Sequence, residues 1–132
     1  MLDFCYEAWV KKLDWKTGQM VSDGAVYDGD TAHVVFDRGF CDYTHMKFRL
    51  ALINTPELNA PKGSDAQKKA VEARDWLRAQ IEGKKVYIKS TQFDKYGRAL
   101  ALVWLNKEDI GNVELSVNKV MLKLGLAELY GN

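Results

Sequence analysis

Two carboxylates bracket a glycine in Tyr27-Asp28-Gly29-Asp30-Thr31. Clustered side-chain oxygens of this kind are what a hard cation takes as ligands. Asp-Gly is also the ordinary chemistry of a hairpin turn, so the same residues equally read as structural. Arg49 interrupts the apolar run Phe48 to Ile53, which leads into the loop Asn54-Thr55-Pro56-Glu57. A guanidinium within such a strand has three ways to avoid burial without a partner: it snorkels to water, pairs with Glu57 or Asp30, or holds a phosphate. A third group, Asp94-Lys95-Tyr96-Gly97-Arg98, presents a cation, an aromatic ring and an arginine on one glycine-containing turn. Phosphate, ribose and base could each find a partner there. A solubilising hairpin turn is the alternative, and for Lys95 alone it is the better reading.

These groups sit between segments rich in β-branched and aromatic residues: Tyr6 to Val10, Gln19 to Val26, Thr31 to Phe36, Thr44 to Ile53, Val86 to Ser90 and Ala99 to Trp104. Strands of this length suggest a barrel or a sandwich. One long helix is expected over Asp65 to Glu82, with Ser64 and Gln67 as a capping box and Gly83 as its stop. Its buried stripe would be Ala66, Ala70, Ala73, Leu77 and Ile81, with Lys68, Arg74 and Arg78 on a solvated face. A shorter helix is expected over Val113 to Leu124, packing through Val113, Val117, Val120, Met121 and Leu124. The pattern suits an α+β fold, a five-stranded Greek-key barrel with one long and one shorter helix, although periodicity alone allows other α+β arrangements.

The 132 residues, 47% of them apolar, fit one globular domain, 1–132. Residues 1–19 read as a strand or hairpin extension carrying Trp9 and Trp15 around a Lys16-Thr17-Gly18 turn. Net charge is only +1, weak support for a polyanionic partner. Its distribution is uneven: residues 58–98 hold 10 basic and 5 acidic side chains, against 6 and 9 in residues 1–57. The start Met1-Leu2-Asp3-Phe4 has no charged and apolar leader pattern, so a soluble intracellular (cytoplasmic) protein, monomeric and not bound to membrane, is expected. Cys5 and Cys41 lack metal or redox spacing and read as free thiols. His33 and His45 stand alone in strands and read as ordinary half-exposed residues.

The ordered series DGDT, FRLxLINTPE, DKYGR and VNKxxLxLGLAE resembles the staphylococcal nuclease-like family, over about Val26 to Glu128. The resemblance implies that family's oligonucleotide-binding (OB) barrel and a calcium-dependent nuclease acting on DNA or RNA with little sequence preference. It implies that Asp30 is a metal ligand, that Thr55 is one through its backbone carbonyl, and that Glu57 orients or deprotonates the attacking water. Arg49 and Arg98 would hold the phosphate, while Lys95 and Tyr96 would approach the terminal phosphate and sugar. Where the family has a third carboxylate before Thr-Pro-Glu, this chain has Asn54, which offers the metal a neutral oxygen. Metal affinity should fall, with reduced activity or a changed preference among metals. Asp28 could compensate by orienting groups and waters around the ion. The family's tyrosine-rich substrate wall looks shortened here, with Tyr130 its remnant. Against the enzyme stands a second reading, a nucleic-acid-binding or protein-interaction barrel whose metal site has decayed through Asn54; retention of Asp30, Arg49, Glu57 and Arg98 favours the enzyme.

Overall fold

The computed structural model describes residues 5–130. Met1 to Phe4 and Gly131-Asn132, on which the reading of the two ends rested, lie outside the described residues. The elements are β1 (Cys5–Trp9), β2 (Lys12–Asp14), β3 (Gln19–Val21), β4 (Val26–Asp28), β5 (Thr31–Asp37), β6 (Tyr43–Leu50), β7 (Ile53–Asn54), α1 (Asp65–Ile81), β8 (Lys85–Phe93), β9 (Ala99–Trp104), α2 (Val117–Lys123) and β10 (Glu128–Leu129). Short 3-10 turns at Lys107–Asp109 and Val113–Leu115 precede α2.

The main sheet runs β1-β8-β9-β6-β5-β4 and closes on itself because β1 also pairs with β5. β1 lies beside Val35 and Phe36 while β4 lies beside Thr31 and Ala32. The two are therefore successive halves of one barrel strand, which makes the closed barrel five-stranded. Among the described residues its only parallel pairing joins β6 to β9, at Phe48↔Ala99 through Leu50↔Ala101. The expected OB barrel with a long and a shorter helix is the observed architecture.

Residues 5–19 are divided between two structures. β1 is a barrel strand, and the paired β2–β3 hairpin is inserted between β1 and β4. The expected strand Gln19 to Val26 is accordingly broken. Gly24, at φ +77°, turns the chain so that β3 stays with β2 while β4 returns to the barrel. The expected strand Thr44 to Ile53 is also broken, because Leu52 adopts φ +70° and separates β6 from β7. β8 runs longer than expected, through a bulge between Ser90 and Gln92.

Alternate residues of the strands fill the barrel, and Val34, Phe48, Leu50, Val86, Ile88, Ala101 and Val103 are 0–1% exposed. Burying a side chain such as Leu50 or Ile88 contributes about 1.5–3 kcal/mol. α1 joins this core through Ala73, Leu77 and Ile81. Its first turn overhangs the barrel, so Ala66 is exposed and the buried stripe begins at Ala70. Ser64 Oγ accepts from Gln67 N as expected, while the Gln67 side chain caps Gly63 N. Arg78 is less free than a solvated face implies: its Nε donates to Val26 O at 3.1 Å and faces Glu82 at 3.6 Å. Glu82 Oε1 in turn accepts from Ala25 N, so the pair fastens the end of α1 to β4. The expected second helix is split at Ser116, whose hydroxyl accepts from Lys119 N and caps α2. Leu124 is exposed, and Asn118 takes a buried place beside Val117 and Met121.

Candidate active site

A cleft of about 800 Å³ opens where β6, the β8–β9 turn and the C-terminal strand meet. It is lined by Arg49, Asn54, Glu57, Asp94, Lys95, Tyr96, Arg98 and Tyr130, among others. Side chains remote in sequence meet here because β6 and β9 run parallel, placing Arg49 beside Leu100, while β10 pairs with β7 and sets Glu128 opposite Asn54.

Arg49 resolves its three options by pairing. Nη2 lies 3.4 Å from Asp30 Oδ2 and 3.1 Å from Asn54 Oδ1. Nη1 donates to Leu50 O and Ile53 O at 3.3 and 3.2 Å. The guanidinium also lies 5.0 Å from the Tyr130 ring centre, so Tyr130 covers the arginine on the cleft side. Glu57 is exposed and stands on the rim of the cleft.

The β4–β5 turn supplies the acidic part. Asp28 Oδ1 accepts from Asp30 N at 3.0 Å, which makes Asp28 the turn-forming member of the pair. Asp30, 7% exposed, accepts from the Thr31 hydroxyl, from Thr55 N and from Arg49. Gly29 permits this packing: a Cβ there would stand 2.8 Å from Ala73 Cβ and 2.9 Å from Thr55 Cγ2. Burial, then the hydrogen bond with Asp30 and the charges of Asp30 and Glu57, push the Asp28 carboxyl up to about 7.

Crowding of carboxyl groups of this kind is what a bound cation would relieve. Among the described residues no three Asp, Glu, His or Cys side chains are disposed to hold a metal by themselves. A cation site would therefore be completed by neutral oxygens, the Asn54 side chain and the Thr55 carbonyl beside Asp30. An all-oxygen donor set of this kind fits a hard divalent ion.

Arg98 is held by Asp94, a residue that sequence reasoning passed over as part of the turn. Asp94 Oδ2 lies 2.7 Å from Arg98 Nε, and Oδ1 accepts from Tyr96 N and Arg98 N at 2.9 Å each. Burial raises this carboxyl, but the hydrogen bonds from Arg98 and Tyr96 and the Arg98 charge outweigh it and hold it below the ordinary value. Arg98 Nη1 reaches the Thr31 hydroxyl at 3.4 Å, linking the turn to the Asp30 neighbourhood. Tyr96 lies between two cations, with Lys95 at 5.2 Å and Arg98 at 5.4 Å from its ring centre.

A second residue, part of the VNKxxLxLGLAE motif but given no role of its own there, is Asn118. Its amide donates to Ala51 O and Ala101 O at 2.8 and 2.9 Å and accepts from Val103 N at 3.1 Å. It binds α2 to β9 and to the turn carrying Leu52, whose carbonyl accepts from Tyr130 N at 2.8 Å. A polar residue among the apolar positions of α2 was the available signal.

Residues 47–132 match the family described as Staphylococcal nuclease homologue. A probable endonuclease LCL3 of Colletotrichum graminicola is 37% identical over 86 residues, covering 62% of this chain and 29% of that protein. That of Saccharomyces cerevisiae is 41% identical over 86 residues, again 62% and 29%. The thermonuclease of Staphylococcus hyicus is 33% identical over 104 residues, 77% of this chain and 54% of the relative. The chain thus spans about half or less of the length of these relatives.

Proposed function

The chain belongs to the staphylococcal nuclease homologue family, and from that membership we propose that it is a metal-dependent nuclease that hydrolyses phosphodiester bonds of DNA or RNA with little sequence preference. The observation that carries this reading is the convergence of Arg49, Arg98 and Glu57 on one cleft, behind which lie the crowded carboxylates Asp28 and Asp30. Two arginines brought to one cleft are suited to the charge that builds on the non-bridging oxygens as water attacks phosphorus. Glu57, exposed on the rim of the cleft, takes the proton of the attacking water. A new P–O bond forms, one ester P–O bond breaks, and the leaving oxygen acquires a proton, giving a phosphate end and a hydroxyl end. By family resemblance the phosphate stays on the 3′ side. Asp94 and Thr31 position Arg98, while Asn54 and Asp30 position Arg49. Lys95 and Tyr96, at the exposed edge of the cleft, contribute binding to phosphate and sugar.

Asp30, Asn54 and the Thr55 carbonyl would hold the cation, calcium on this donor set, with Asp28 orienting groups around it. When bound, the ion would add positive charge beside the phosphate and lower the pKa of water. A monomeric chain acting within the cell remains part of the proposal.

The second reading, a nucleic-acid-binding barrel with a weakened metal site, is favoured by one observation: the Asn54 carbonyl is engaged by Arg49 at 3.1 Å. Cleavage of single- and double-stranded DNA and RNA under calcium, magnesium, manganese or chelator, with Glu57→Ala and Arg49→Ala alongside, decides between them. Metal-dependent cleavage that drops by a factor on the order of a hundred in either variant supports the nuclease. No cleavage with any metal, together with retained nucleic-acid binding, sinks it in favour of the binding module.

A further inference from the structure

Strand alternation places Tyr43, His45, Lys47 and Arg49 on the outer face of β6, opposite the core residues Phe48 and Leu50. Arg49 is the end that enters the cleft. Cross-strand pairing widens this face, with Lys47 opposite His33, His45 opposite Val35, and Val35 opposite Trp9. At the far end, Met20 of the inserted β2–β3 hairpin lines a groove of about 330 Å³ together with Trp9, Lys11, Val35, Tyr43 and His45. The hairpin does not hide the aromatic rings: Trp9 is 40% and Tyr43 53% exposed.

The groove is flanked by positive charge. Lys11 Nζ lies 5.5 Å from the Trp9 ring centre. Burial, then the nearby charges of Lys47 and Lys12, hold the His33 imidazole below its usual value. Lys11, Lys12 and Lys47 enter none of the salt bridges among the described residues. Cations spaced along a strand, ending in exposed flat rings, match the phosphates and base faces of an unpaired nucleic-acid strand.

We propose that this face is a second nucleic-acid contact: a single strand of DNA or RNA leaves the cleft at Arg49, runs along β6 past Lys47 and His45, and stacks unpaired bases on Tyr43 and Trp9. It rests on the reading of the cleft as the place where a strand is cut. The four outward positions of β6 span about 20 Å, enough for several nucleotides of the roughly 4–16 that one such barrel engages. Because every base has a π-face, the contact adds affinity for longer strands without sequence preference.

Binding would be read by fluorescence polarisation in chelator, with a labelled thymidine dinucleotide, an oligothymidylate of about 12 nucleotides and its uridine counterpart. Tyr43→Ala and Trp9→Leu should each weaken the long strands by about tenfold, with a far smaller effect on the dinucleotide. Lys47→Ala should lower the slope of log affinity against log salt by about 0.7. Leu124→Ala, at the exposed residue that follows α2, serves as the control. Tyr43 stands half in solvent, so its variant keeps the test informative if the Trp9 variant fails to fold. Unchanged long-strand affinity in Tyr43→Ala, an equal loss for short and long strands, or no binding of single strands by the parent protein overturns the proposal. Cleavage assayed in parallel separates the two readings. Intact cleavage without length-dependent loss removes only the track, and length-dependent loss without cleavage removes only the nuclease.

Discussion

Asp94 Oδ2 stands 2.7 Å from Arg98 Nε across the β8–β9 turn, and the same carboxylate accepts the backbone N–H groups of Tyr96 and Arg98. One side chain thus sets the shape of the turn and the direction of the arginine that it delivers to the cleft. That arrangement has a pH signature.

The Asp94 carboxyl is held below its ordinary value of 3.8 when folded. Its contribution is therefore fully present above about pH 4 and is lost as pH falls through the lower, folded value. Screened by solvent, a pair of this kind contributes at most about 1 kcal/mol. Asp94→Asn should lose up to that amount at neutral pH and show correspondingly less further loss on acidification, as read by urea unfolding at neutral and acid pH. Identical acid limbs in the two proteins would remove Asp94 from this role.

Asn54 supplies a neutral oxygen where the cluster of Asp28, Asp30 and Glu57 is already acidic. Asn54→Asp adds an anion to that set and should tighten calcium binding by about tenfold, measured by titration calorimetry. Calcium affinity equal to that of the parent would show that residue 54 does not face the ion.

Gly29→Ala forces a methyl to within 2.8 Å of Ala73 Cβ and 2.9 Å of Thr55 Cγ2. Overpacking of this kind costs about 1–3 kcal/mol. Ala73→Gly in the same chain removes one of the two obstructions, so the double variant should recover part of the loss beyond additivity. Thermal unfolding of the four proteins forms the cycle, and strict additivity would contradict the contact.

Asn118→Ala leaves Val103 N, Ala51 O and Ala101 O without their side-chain partner inside the protein. Buried polar groups left this way cost about 1–3 kcal/mol each, though Ala101 O keeps its bond from Ala51 N, so a loss of about 3 kcal/mol is expected. Denaturant unfolding measures it; a loss under about 1 kcal/mol would mean that water replaces the amide.

By itself the sequence determined the strand Ala99 to Trp104, the long helix with its cap at Ser64 and, through four ordered motifs, the family whose resemblance implies the five-stranded barrel. The strand and the cap follow from side-chain alternation and a local hydrogen bond, which act over short stretches of chain, whereas alternation alone left the arrangement of the strands open. The sequence also marked Arg49, Glu57, Arg98 and the Asp28-Gly29-Asp30 turn as a group. What it left open was partnership. That Arg49 binds Asp30 and Asn54 rather than Glu57, that Asp94 holds Arg98, that Gly29 gives way to Ala73, and that Asn118 ties α2 to β9 were decided by tertiary structure. Each joins residues whose types permit several partners, and only closure of the barrel, with β6 parallel to β9 and β7 paired to β10, selects which of them meet. The β2–β3 hairpin is the same case: its residues read as an extension until β1 and β4 are both seen to pair with β5.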